Sequence, residues 1–320
     1  MVLSSPDSRV IGVYEGTHRG PLILALGAVH GNEPAGVQAL VTVFHLLEQE
    51  PAIRPDFEFS GRLVGLVGNL RAYRERQRFI DSDLNRLWSQ ERVERLFQEG
   101  ALHTDIWEER ELLELLSAMQ KEVNDYQPEE LIILDLHTTS AGGGIFSIPL
   151  EDDPKSVHLA AELHAPVILG LLKGLEGTLM HYAAHAGQLY MLPGRIRCVA
   201  FESGQHDDPQ SVSRSISAIV NTLRSAGCIR IDDVDHEHEK ILLRYTAGLP
   251  RINQIVHVYH IAAGEQFVMQ PGYVNFQTIA RGEHLADNQY GPIYAPFSGR
   301  ILMPLYQPKG ADGFFIVVEQ

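Results

Sequence analysis

The chain has 320 residues, which at ~150 residues per domain suggests about two domains. Lys and Arg number 26 against 41 Asp and Glu, a formal net charge of −15. A surface that acidic repels phosphate backbones and anionic lipid, which argues against nucleic-acid binding and against a polybasic membrane anchor. With 44% hydrophobic and 21% charged residues, the composition is that of a globular protein rather than a disordered one. The two cysteines, Cys198 and Cys228, argue against a disulfide scaffold and fit a reducing compartment. The N-terminal MVLSSPDSRV lacks the basic and apolar regions of a secretory signal, and the longest apolar runs are too short to span a membrane. The expectation is a soluble, cytoplasmic protein, with assembly into a homo-oligomer left open.

Residues 22–29 (LILALGAV) read as a buried strand. A helix over 34–50 follows, with Val37, Leu40, Val41, Phe44 and Leu47 at helical spacing and Pro34 at its first position. Strands over 63–67, 131–136 and 198–201 alternate with helices over 112–123 and from Asp208 to Gly227. That alternation indicates an α/β fold with a largely parallel sheet. Beyond residue 228 the helical period disappears, and strand-like runs at 241–245, 255–261, 301–305 and 314–318 alternate with Gly and Pro. The expected organisation is therefore an α/β domain over 1–227 and a small all-β domain over 228–320.

Four of the strands end in polar groups capable of chemistry: His30-Gly-Asn-Glu33, Gly68-Asn-Leu-Arg71, His137 and Glu202. The carboxyl ends of strands form the ligand crevice of an open α/β sheet, so these groups are expected to converge. His30 and Glu33, three apart across a strand-to-helix turn, can aim an imidazole and a carboxylate at one point. His137 then completes a His₂Glu set, the ligand set of hydrolytic zinc sites, with one zinc per chain. Asp135, two residues before His137, suits a hydrogen bond to that ligand or to a neighbouring helix N-terminus.

The segments GAVHGNEPAG, GNLRAY, RFIDSDLNRLW, DLHTTS and VAFESG, in this order, resemble the aspartoacylase/succinylglutamate desuccinylase family, a branch of the zinc carboxypeptidase-like hydrolases. The resemblance covers residues 22–225 and, more weakly, the C-terminal β region. It implies a mixed, largely parallel sheet flanked by helices, and a zinc held by His30, Glu33 and His137. Arg71 would polarise the scissile carbonyl, Asn85 and Arg86 would grip a substrate carboxylate, and Glu202 would be the general base. The family's enzymes cleave N-acyl amino acids, so the implied partner is a small anionic acyl-amino-acid. Relatives carry a further Arg shortly before the general base. Arg195 and Arg197 stand in that interval without aligning cleanly. Tyr306 resembles a pocket-closing Tyr that relatives contribute from the β domain.

Other features carry less. The acidic run at 232–239 reads as a solvated linker, and Ala141-Gly-Gly-Gly144 as a turn beside His137. His181, His185 and His206 are candidates for the pocket mouth. No Gly-x-Ser-x-Gly elbow is present, which leaves a serine hydrolase unsupported. A carboxypeptidase acting on peptide ends and a non-catalytic binding protein remain as alternatives to a deacylase.

Overall fold

A computed structural model describes residues 2–3, 8–100, 104–186, 196–234 and 237–320. The chain opens with β1 (Val2–Leu3), β2 (Val10–Glu15) and β3 (His18–Gly27), followed by α1 (Ala35–Ile53) and β4 (Ser60–Val67). Next come α2 (Leu70–Glu75), a single 3₁₀ turn at Leu84–Arg86, α3 (Gln90–Glu99), α4 (Trp107–Tyr126) and β5 (Leu131–Thr139). Then follow β6 (Phe146–Pro149), α5 (Pro154–Glu162), β7 (Val167–Leu169), a 3₁₀ turn at Leu172–Gly174, α6 (Leu179–Ala186), β8 (Ile196–Gln205) and α7 (Gln210–Ser225).

Strands β4, β3, β5 and β8 are parallel and central, as the alternating pattern predicts. Both faces of this sheet are covered, which is why its strands read as unbroken apolar runs. Leu22, Leu24 and Leu26 of β3 pack with Leu112, Leu115, Leu116 and Met119 of α4. Ile23 and Ala25, on the opposite face, pack with Val37, Leu40, Phe44 and Leu47 of α1. Each fully buried Leu or Ile of this kind contributes ~1.5–3 kcal/mol.

The remainder of the chain differs from its expected all-β character at one element. Residues 237–245, expected to hold a strand from 241, form α8 (Glu237–Tyr245). The short apolar stretch buries Leu242 alone, while Glu237 pairs with Lys240 and Arg244 along the helix surface. Charges spaced three and seven apart favour a helix with one buried stripe over a two-faced strand. The strands that follow are β9 (Ile252–His260), β10 (Val268–Met269), β11 (Thr278–Ile279), β12 (His284–Asn288), β13 (Gly291–Tyr294), β14 (Gly299–Leu302) and β15 (Asp312–Glu319).

β9 pairs with β7 and continues the main sheet into β15, β14 and β11, giving twelve strands. β10, β12 and β13 form a separate antiparallel sheet. β15 is buried on both faces. Phe315 and Val317 join the main core, and Phe314 and Ile316 join a second cluster with Leu285, Ile301 and Met269. Through β15 the C-terminal region is built into the wall of the sheet, and its first residue, Asp312, faces the crevice.

Candidate metal centre and active site

β3 ends at Gly27, and Ala28 takes a left-handed conformation (φ 55°) that turns the chain toward α1. His30 and Glu33 lie on this turn. A Cβ at Gly31 would fall 2.1 Å from the Ala72 carbonyl carbon, so glycine is needed for the turn to rest on α2. His137 and Glu202 are direct neighbours on the parallel strands β5 and β8.

His30, Glu33 and His137 are buried, with ligand atoms within 4.8 Å of one another. Nδ1 of His30 lies 2.9 Å from Glu33 Oε1, and Nδ1 of His137 lies 3.1 Å from Glu33 Oε2. The other nitrogen of each ring donates to a carboxylate: His30 Nε2 to Asp83 Oδ1 at 3.0 Å, and His137 Nε2 to Asp135 Oδ2 at 2.9 Å. A neutral imidazole that donates from Nε2 presents a lone pair at Nδ1. Two such lone pairs facing one carboxylate require a proton or a metal cation between them. The donor set therefore fits a divalent metal of the zinc type, with Asp83 and Asp135 orienting its ligands.

The charges agree with this geometry. Burial alone would lower both imidazoles, yet Asp83 and Glu33 raise His30, and Asp135 and Glu33 raise His137 well above the ordinary value. Burial opposes ionisation of Glu33 and Asp83, but His30 and His137 hold Glu33 low, and His30, Arg78 and Arg86 hold Asp83 low. Glu202 behaves differently. Burial, with Glu33 and Asp135 nearby, pushes its carboxyl up to about 7, and its Oε2 is buried without a hydrogen-bond partner. A carboxylate poised near neutrality is suited to accept and return a proton.

These groups line a cavity of about 140 Å³. Arg78 lines it too, with Nη2 donating to Asp83 at 3.0 Å and Nη1 3.6 Å from Glu33. Asn85 lines the cavity, and its side-chain oxygen accepts from Leu179 N at 3.0 Å. Arg86 lines it as well, but Nη2 already donates to Asp312 Oδ2 at 3.0 Å and Nη1 to Asn85 O.

Two expected site residues are elsewhere. Arg71 stacks over Trp107 at 3.8 Å and donates to Glu75 from the outer face of α2, away from the cavity. Asn69 caps α2 by accepting from Ala72 N, and that register turns Ala72 inward and Arg71 outward. Tyr306 is half-exposed; its hydroxyl donates to Gln270 O and accepts from Tyr273 N, so it does not line the cavity. Its neighbours Leu305 and Gln307 do. Arg195 lies outside the described residues. Arg197 is bound to Glu130 at 2.7 Å, and His206 is hydrogen-bonded to Thr138. His181 is not among the cavity's lining residues.

Arg78, Asp83, Glu108 and Asp312 escaped the reading of the sequence. Arg78 had a signal, as the first residue of RFIDSDLNRLW. Glu108 of α4 had none. Its buried carboxylate accepts from Asn69 Nδ2 and from the backbone N–H groups of Ile80, Asp81 and Ser82, so it shapes the loop that delivers Asp83, Asn85 and Arg86.

A family model described as the succinylglutamate desuccinylase/aspartoacylase catalytic domain matches residues 19–192, more than half of the chain. The chain belongs to the succinylglutamate desuccinylase/aspartoacylase family. A protein of Acaryochloris marina named probable aspartoacylase is 31% identical over 148 residues, 46% of this chain and 45% of that protein. The match thus spans under half the length of that curated relative. The fold is shared with a solved succinylglutamate desuccinylase/aspartoacylase from Rhodobacter sphaeroides (TM-score 0.63, 16% identity, 96% of this chain and 87% of that one). It is shared also with the ectoine utilization protein EutE (DoeB) from Ruegeria pomeroyi (TM-score 0.61, 19% identity, 96% and 87%). Among the described residues of this family member, no helix is long and apolar enough to cross a membrane.

Proposed function

We propose that the chain is a zinc-dependent deacylase that hydrolyses a small N-acyl amino acid or a related amide. The observation that carries this reading is that Nδ1 of His30 and Nδ1 of His137 both face the Glu33 carboxylate, beside the buried Glu202 Oε2, which has no hydrogen-bond partner. His30, Glu33 and His137 would hold the metal. Zinc in a His₂Glu site lowers the pKa of water to ~7 and so makes a nucleophile available at neutral pH.

Glu202 Oε2 would accept a proton from the attacking water and return it to the leaving nitrogen, a role worth ~10²–10⁴-fold. Arg78, in place of Arg71, donates from its guanidinium to the carbonyl oxygen as negative charge develops there, worth ~10²–10³-fold. Asp83 and Asp135 keep the two imidazoles in the tautomer that presents Nδ1. Burial of all these groups keeps competing water out and strengthens each interaction. Both cysteines are free and buried, in keeping with the reducing cytoplasm we propose as its location.

The test is elemental analysis followed by turnover of N-acyl amino acids and of C-terminal dipeptides. One zinc per chain, lost in His30→Ala and His137→Ala, and turnover of the acyl compounds are expected. Stoichiometric zinc in both variants, or cleavage of dipeptides alone, would overturn the reading.

A further inference from the structure

Besides the candidate metal ligands, the cavity is lined from the turn at Leu84–Arg86, from the segment 171–180 and from the start of β15. Gly177 (φ 76°) is pressed against the Arg86 carbonyl, where a Cβ would lie 2.4 Å from the oxygen, and Trp88 N donates to Gly177 O. Arg86 shares the cavity lining with Leu171, Leu172, Leu175, Met180 and Phe315, which lies three residues beyond Asp312. Among the described residues lining the cavity, the cations are Arg78 and Arg86. Both are engaged by carboxylates of the chain itself. Asp312 is 9% exposed at its side chain, and its second oxygen accepts from His260 Nδ1 at 2.7 Å, directly across the β9–β15 ladder.

A substrate carboxylate directed at Arg86 would meet Asp312 a few ångströms away, a like charge in a half-buried setting, and would have to displace it. An apolar group meets no such barrier, and the leucines and Met180 offer it a surface that water solvates poorly. We propose that Asp312 takes the place of a substrate carboxylate on Arg86, so that the site accepts an amide whose arm toward Arg86 is apolar and uncharged. This rests on the deacylase reading above. The shared chemistry is an apolar arm, on either the acyl or the amine side of the scissile bond.

The experiment is kcat/KM of the zinc-loaded enzyme on two matched pairs. N-acetyl-leucinamide against N-acetyl-aspartate α-amide probes the amine side, and N-hexanoyl-glycinamide against N-succinyl-glycinamide the acyl side. The apolar member is expected to lead by tenfold or more in one pair, which identifies the arm. Asp312→Asn is expected to shift that ratio at least tenfold toward the carboxylate member. Leu172→Trp, which narrows the apolar wall without touching the pair, should lower the turnover of the apolar member alone, and it stands in if Asp312→Asn does not fold. Preference for the carboxylate member in both pairs, or an unchanged ratio in Asp312→Asn, overturns the proposal. If no member is hydrolysed, turnover of the uncapped N-acyl amino acids tests the deacylase reading separately, and calorimetry with hexanoate and succinate decides the pocket. Tighter hexanoate in the parent chain, with succinate gaining in Asp312→Asn, sustains the proposal, and the reverse order ends it.

Discussion

Asp135 Oδ2 accepts a hydrogen bond from His137 Nε2 at 2.9 Å, the two side chains lying two residues apart on one face of β5. The contact sets the tautomer of a proposed metal ligand and raises the basicity of its Nδ1. Asp135→Asn keeps the shape but removes the charge, so zinc affinity should fall ~10–100-fold. Competition with a chelator of known affinity measures this. An unchanged dissociation constant would show that Asp135 serves the sheet rather than the metal.

Arg78 lines the cavity and Arg71 does not, so the role that the resemblance implies for Arg71 is proposed for Arg78. Arg78→Lys loses the planar fork that reaches both Asp83 and the cavity, and kcat/KM should drop ~10²-fold or more with zinc retained. Arg71→Ala removes an exposed ion pair and a stack on Trp107, worth about 1 kcal/mol together, and kcat should stay within about threefold. Steady-state kinetics on both variants decide between them. A larger loss in the Arg71 variant would return that residue to the site.

Glu202→Gln should retain zinc and lose at least ~10²-fold in kcat, because an amide cannot accept a proton from water. The same substitution should stabilise the metal-free protein at alkaline pH. The folded carboxyl is raised from 4.5 to about 7, so between those values the folded state holds a proton that the unfolded chain has released. Stability from this group is present below pH 4.5 and declines as pH rises through 7. At about 1.4 kcal/mol per unit the ceiling is near 3 kcal/mol. Metal-free melting temperatures at pH 5 and pH 8 should therefore separate the variant from its parent at pH 8 only.

Glu108 carries no chemistry and holds the site loop together. Its carboxylate satisfies four N–H groups at 2.7–3.1 Å, three of them backbone donors at Ile80, Asp81 and Ser82. Glu108→Ala leaves those donors unpaired in a buried place, at ~1–3 kcal/mol for the group removed and its partners. Thermal unfolding should show the loss, and KM should rise as Asn85 and Arg86 lose their position. A variant with parental stability would mean that water replaces the carboxylate.

Local signals were sufficient for the framework. Apolar runs bounded by helical periods determined β3, β4, β5 and β8 and their largely parallel arrangement, because a strand covered on both faces must be apolar throughout. The His-x-x-Glu turn and the His at the end of β5 were legible for the same reason: a residue at a strand end has little freedom in where it points. Side chains on loops and helix surfaces have more freedom, and tertiary contacts decide it. Arg71 is turned outward by the Asn69 cap and Trp107, and Arg78 inward by Asp83. The partner of Arg86 comes from 226 residues away, where β15 joins the sheet. No spacing rule reaches that far. Charge pairs across such distances form only after burial has fixed both backbones, so the candidate ligand set was legible in the sequence while the pairing of Arg86 with Asp312 emerged from the fold.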